Sequence, residues 1–181
     1  MRVITSPDNY TLNPDEISLF LAGGITNCPN WQKEIIDLLK QDDTLDKLVV
    51  FNPRRENFPI HNPNAAYEQI EWEFTCLEQA DIFSMYFCGG VSDQPICMYE
   101  LGRYISRMQS KYPRTWFFRL VVTVESDYNR KLDVLAQMDL ACHGLFVNVG
   151  LSASDAQEYH THKIKKAYKY LINLPVSLRK V

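Results

Sequence analysis

Short continuous apolar runs alternate along the chain with stretches in which apolar residues recur every three or four positions. Ser18-Leu19-Phe20-Leu21-Ala22 has the character of a buried strand and stops at Gly23-Gly24. Thr26 to Asn30 then form a turn ending in an N-cap residue, and from Trp31 the residues Ile35, Ile36, Leu38 and Leu39 follow helical spacing. Leu48-Val49-Val50-Phe51 predicts a second strand, running into Asn52-Pro53-Arg54-Arg55 and an irregular loop with Pro59 and Pro63. In the next helix Tyr67, Ile70, Phe74 and Leu77 form a stripe expected to face the core, with Glu73 roughly 80° from its centre.

Asp81 to Phe87 predicts the third strand, and Cys88 to Asp93 a loop; Pro95 suits the first turn of the helix after it, whose stripe is Cys97, Leu101, Tyr104 and Met108. Trp116 to Val124 and Leu145 to Val149 are the fourth and fifth candidate strands, and Ala153 to Leu171 a closing helix; the segment 125–150 is otherwise poorly patterned. Residues 1–16 lack periodicity and read as an N-terminal arm, followed by one domain over 17–181. Near-continuous apolar strands alternating with helices imply a single-domain α/β three-layer sandwich around a parallel five-stranded sheet. Ligands of such sheets bind beyond the carboxyl ends of the strands, which directs attention to the loops 23–30, 52–66, 88–95 and 125–130.

Composition narrows the function classes. The chain is 46% hydrophobic and 23% charged, as expected of a globular protein, and has no apolar stretch of membrane-spanning length, so the expectation is a cytoplasmic protein with no membrane partner. Five cysteines without a C-x-x-C pair argue against a disulfide framework or a zinc knuckle; His160 and His162, two apart on a helix, face different ways and His61 and His143 are isolated, so no metal is assigned. A net charge of −3 without a basic run offers no footprint for duplex nucleic acid, although a local cluster can still bind one phosphate. Gly23-Gly24 allows a ligand to approach a helix N-terminus, but the spacing of a dinucleotide fingerprint and the Gly-Lys-Ser/Thr of a P-loop are both missing.

Two carboxylates stand out. Glu100, in Tyr99-Glu100-Leu101-Gly102, lies about one and a half turns into the helix after the third strand, with its side chain directed back towards that strand's carboxyl end. Glu73 lies on the preceding helix, so the fold can bring both to one cleft, and paired carboxylates are the equipment for glycosidic cleavage. Arg54 and Arg55 can meet a phosphate or a base edge through their guanidinium forks.

The ordered set Phe20-Leu21-Ala22-Gly23-Gly24-Ile25, Asn52-Pro53-Arg54-Arg55, Gln69-Ile70-Glu71-Trp72-Glu73, Ala80-Asp81-Ile82 and Tyr99-Glu100-Leu101-Gly102 resembles the nucleoside 2-deoxyribosyltransferase-like proteins over roughly residues 17–125. The resemblance implies a flavodoxin-like or Rossmann-like sandwich that needs no cofactor and forms a homo-oligomer, a dimer or larger. It implies cleavage or transfer at the N-glycosidic bond of a 2′-deoxynucleoside or its monophosphate through a deoxyribosyl-glutamate intermediate. Glu100 matches the nucleophile and Glu73 the acidic residue that supports the sugar and the proton. Gly23, Gly24, Ile25, Arg54, Arg55, Asp81, Ser92 and Asp93 are the expected substrate contacts. Transferase and hydrolase stay open, as does the leaving-group acid, for which Glu73 and Asp93 are candidates. Asp93 stands one position before the place of a sugar-contacting aspartate, which Gln94 fills, and the aromatic residue usual after the first strand is absent. The competing reading is a non-catalytic nucleotide-binding or sensor module on the same fold.

Overall fold

In a computed structural model that describes residues 1–143 and 148–179, the apolar runs become strands. They are β2 (Ile17–Gly23), β3 (Leu48–Asn52), β4 (Ile82–Phe87), β5 (Leu120–Glu125) and β6 (Asn148–Leu151). A short strand β1 (Arg2–Thr5), drawn from the arm, adds itself in parallel beside β3. The sheet is six-stranded, in the order β1-β3-β2-β4-β5-β6, and every adjacent pair is parallel. The five strands expected from the sequence keep a flavodoxin-like order, with β1 as an edge addition. Leu145, Phe146 and Val147 of the expected fifth strand lie outside the described residues.

Alternation along the strands builds two cores. Ile17, Leu19, Leu21, Ile82 and Tyr86 face α1 (Trp31–Lys40) and α5 (Ala153–Ile172). Phe20, Ala22, Phe83, Met85 and Phe87 face α2 (Ala65–Gln79), α3 (Pro95–Lys111) and α4 (Lys131–Cys142). This is the three-layer arrangement that parallel strands require, since both their faces must be covered. Asn30 caps α1 by accepting from the Lys33 amide, Pro95 opens α3, and the expected α3 stripe of Cys97, Leu101, Tyr104 and Met108 is buried throughout.

Two expectations change. Trp116-Phe117-Phe118 is a 3-10 turn rather than the start of β5; Arg119, fully buried, bonds the carbonyls of Asp81 and Arg179 and holds the chain back until Leu120. Three of the four residues of the stripe predicted to turn α2 inward face outward, with Tyr67 70%, Ile70 63% and Phe74 47% exposed, while Leu77 is buried. Helix α2 has apolar residues on two sides, and the side that packs is Ala65, Trp72, Cys76 and Leu77, with Trp72 against Phe20 and Phe51. Gln69 and Glu73 fall at helical spacing on that packed side, so Glu73 points inward rather than along its border.

Among the described residues, all five cysteines are unpaired and buried, and no helix is long and apolar enough to cross a membrane.

Candidate active site

The chain runs from β2 to its neighbour β3 and then back across β2 to β4, so the carboxyl ends of β2 and β4 flank the point where strand order reverses. A cleft of about 330 Å³ opens there, lined among others by Gly23, Gly24, Ile25, Ser92, Glu73 and Glu100. Its position is the one the fold reserves for ligands, and its size suits a small molecule.

The cleft's floor depends on glycine. A Cβ at Gly23, where φ is +153°, would lie 2.3 Å from the Tyr86 carbonyl oxygen and 2.4 Å from the Trp31 ring. That ring stacks on Tyr86 with centroids 4.9 Å apart, and its Nε1 donates to the Gly24 carbonyl at 2.8 Å, so neither neighbour can give way. Across the cleft Gln94 occupies a left-handed backbone conformation with φ of 47°. Its buried amide accepts from the Gly24 N–H at 3.2 Å and donates to the Cys88 carbonyl at 2.7 Å, stapling the loop after β2 to the loop after β4. Beneath it, the buried carboxylate of Glu125 accepts from Tyr86 Oη and the Gly89 amide, each at 2.6 Å. The walls are therefore held from both sides before any ligand arrives, which is how a site avoids reorganisation at the moment of reaction.

The two carboxyl groups share this setting. The Glu100 carboxyl group makes no hydrogen bond to any described residue, and its pKa is pushed up to about 8, first by burial and then by the charge of Glu73. Burial also raises Glu73, opposed by a hydrogen bond from Gln69 Nε2 to its Oε1 at 2.6 Å and by the charge of Arg55. Two such groups in one desolvated cleft hold their protons more tightly than free carboxyl groups, and a coupled pair gives them up in separate steps.

The other expected contacts divide. Gly23, Gly24, Ile25 and Ser92 line the cleft. Asp93 does not; its carbonyl accepts from Tyr128 Oη at 2.8 Å, a bond that fastens the loop. Asp81 lies at the opposite, amino end of β4, where its Oδ2 accepts from the Ser18 amide and hydroxyl, each at 2.9 Å, and Arg119 stands 3.8 Å away. An aspartate opening a strand cannot reach a site beyond the strand's other end, so its part is to join β2, β4 and β5. Arg54 donates to the carbonyls of Pro29 and Cys28 at 2.5 and 2.9 Å, which pins the 23–30 loop to β3. Arg54 and Arg55 line a second cleft of about 590 Å³ that shares Ile25 with the first. Thr26, Pro53 and Cys97 also line the first cleft, and the only sequence signal for them was proximity to named loops. Among the described residues, no three His, Cys, Asp or Glu side chains are grouped to hold a metal ion.

A model of the family described as nucleoside 2-deoxyribosyltransferase like matches residues 16–112, more than half of the chain. The chain belongs to the nucleoside 2-deoxyribosyltransferase-like family. No curated protein sequence matches it closely enough to count as a relative. The segment matched to the nucleoside 2-deoxyribosyltransferase-like family runs from β2 through α3 and contains every residue named above as lining the first cleft. The family suggests an enzyme of the glycosyl-transferring kind, with nucleoside deoxyribosyltransferase-like activity. The arm with β1, and the elements from β5 onward, lie outside the matched segment.

Proposed function

We propose that the protein cleaves or transfers the N-glycosidic bond of a 2′-deoxynucleoside or its 5′-monophosphate. The observation that carries this reading is the pairing in one cleft of Glu100, whose carboxyl group has no hydrogen-bond partner among the described residues, with Glu73, close enough for its charge to raise the Glu100 pKa. In the reactive arrangement the shared proton is on Glu73 and Glu100 is a carboxylate. A Glu100 oxygen forms a bond to C1′ as the bond to the base nitrogen breaks, and the bonding pair leaves with the base, which takes the proton of Glu73. The desolvated carboxylate stabilises the positive charge that builds on the sugar. The ester is resolved when water, or the nitrogen of a second base, attacks C1′ and gives its proton to Glu73, restoring both groups.

Monophosphates are included because the second cleft carries Lys33, Lys40, Arg54 and Arg55 against Asp37 and Glu56, and so favours an anion next to the sugar site. Incubation with each deoxynucleoside and monophosphate, with and without a second free base, tests the reading by chromatography. Free base without an acceptor identifies a hydrolase; a new nucleoside formed only with an acceptor identifies a transferase. A nucleotide that raises the melting temperature and stays intact instead supports a non-catalytic sensor.

The same reading includes a homo-oligomer. Tyr67, Ile70 and Phe74 on α2 and Ile96 and Tyr99 on α3 are all at least 47% exposed, and Arg103 lies over the Phe74 ring at 4.6 Å. Side chains of this size leave on the order of several hundred Å² of apolar surface beside the cleft, an extent that marks an interaction face. Sedimentation is expected to give a dimer or larger species at micromolar concentration, and the double variant Tyr67→Lys, Ile70→Glu is expected to run as a monomer with an unchanged circular dichroism spectrum. A wild-type protein that sediments as a monomer contradicts the assembly.

A further inference from the structure

The arm is wired to the active site through one hydroxyl group. Pairing of β1 with β3 carries the chain to Ser6, whose amide donates to the Asn52 carbonyl at 3.1 Å and whose side chain is buried, 4% exposed. Arg55 Nε donates to Ser6 Oγ at 3.2 Å, and Ser6 Oγ donates to Gln69 Oε1 at 2.7 Å. Gln69 Nε2 in turn donates to the Pro53 carbonyl and to Glu73 Oε1, each at 2.6 Å.

The direction of every bond in this chain is forced. Arg55 Nε can only donate, so Ser6 must accept from it and turn its own hydrogen to Gln69. A carbonyl can only accept, so the atom of Gln69 that faces Pro53 must be its nitrogen, and the same nitrogen faces Glu73. Glu73 Oε1 is thereby an acceptor at all times. A proton on that oxygen would face an N–H group, whereas Oε2 has no partner among the described residues. The buried Nη2 of Arg55, also without a hydrogen bond, leaves a positive charge close to Glu73.

We propose that Ser6, Gln69 and Arg55 are positioning residues that confine the Glu73 proton to Oε2, the oxygen free to serve the leaving base. This rests on the glycosidic reading for its purpose but not for its geometry. The chain also accounts for a feature of the site's electrostatics: the Gln69 hydrogen bond and the Arg55 charge work against the effect of burial on Glu73. Ser6 lies outside the segment matched to the family, so the wiring belongs to this chain's own arm.

The test needs no substrate. In protein labelled with ¹³C at the glutamate carboxyl carbons, Glu73 is assigned by its loss in Glu73→Gln and titrated in wild type, Gln69→Leu, Gln69→Asn, Ser6→Ala and Ser6→Thr. Losing the Gln69 donor is expected to move the Glu73 titration to higher pH by about one pH unit. Ser6→Ala is expected to move it less and in the same direction, and Ser6→Thr, which keeps the hydroxyl, to restore the wild-type curve. In the base-release assay Gln69→Leu should lower kcat about tenfold with KM unchanged within twofold and shift the acid limb of the pH profile by the same amount as the titration. An unchanged Glu73 titration in folded Gln69→Leu and Gln69→Asn overturns the proposal. Shifted titrations in a protein that releases no base would instead leave the wiring standing and refute the function.

Discussion

Replacing Glu100 by glutamine is expected to lower base release at least about 10⁴-fold and, at the same time, to make the protein more stable. The first effect follows from removing the atom that bonds to C1′, which no other described group in the cleft can replace except Glu73, itself held by Gln69. The second follows from the raised pKa. A carboxyl group that titrates near 8 in the folded protein and at 4.5 when unfolded favours folding fully only below 4.5, and that contribution is lost as pH rises through 8. Glutamine has no charge to desolvate. Thermal melts of the two proteins should therefore coincide near pH 4 and diverge towards pH 8, the variant gaining roughly 4 kcal/mol, or about 8–16 °C for a domain of this size. A variant less stable than wild type at pH 8 would show that Glu100 contributes to packing rather than resisting it.

Glu73→Gln is expected to cost about 10²–10⁴ in kcat, the usual contribution of a positioned proton donor. The loss should shrink for nucleosides whose bases depart readily without a proton. The pH profile discriminates further. In the wild type only the singly protonated pair is reactive, so kcat/KM is expected to be bell-shaped. Its alkaline limb lies near 8, where the last proton leaves, and its acid limb above the ordinary 4.5 because burial raises Glu73 as well. Without Glu73 the second cause of the Glu100 displacement vanishes while burial, the larger cause, stays. Activity should then rise through one pKa lying between 4.5 and 8, with no alkaline limb. A persistent bell in Glu73→Gln would assign the acid elsewhere.

Strands were legible in the sequence because burial on both faces writes them as continuous apolar runs, and α3 because one unambiguous stripe faced one core. Helix α2 was not, since Tyr67, Ile70 and Phe74 make as good a stripe as Trp72, Cys76 and Leu77, and only the shape of the sheet decides between them. That choice also decided how far Glu73 turns inward. Strand β1 is four residues of an otherwise irregular arm and gains its structure from β3, a partner some 47 positions away.

The glutamates, the glycine pair and Ser92 were named by position relative to the strands, and all of them line the first cleft. Asp81 ties strands together at the far end of β4 and Arg54 pins a loop while lining the second cleft, because residue type alone does not tell a ligand-binding carboxylate or guanidinium from one that joins strands and loops. Gln69 stood in plain view four residues before Glu73, the spacing at which helical side chains meet. Ser6, 63 positions from Gln69, had no local signal at all.

The proposed reaction turns on a covalent bond between Glu100 and the sugar. Wild-type protein mixed with a deoxynucleoside that it turns over, quenched in acid within the first turnover and digested, is to be examined by peptide mass spectrometry. The expected result is the mass of one deoxyribosyl group on the peptide containing Glu100, located to that residue by fragmentation and absent from Glu100→Gln. Turnover with no adduct at any time before the first product appears, or an adduct on another residue, would contradict it.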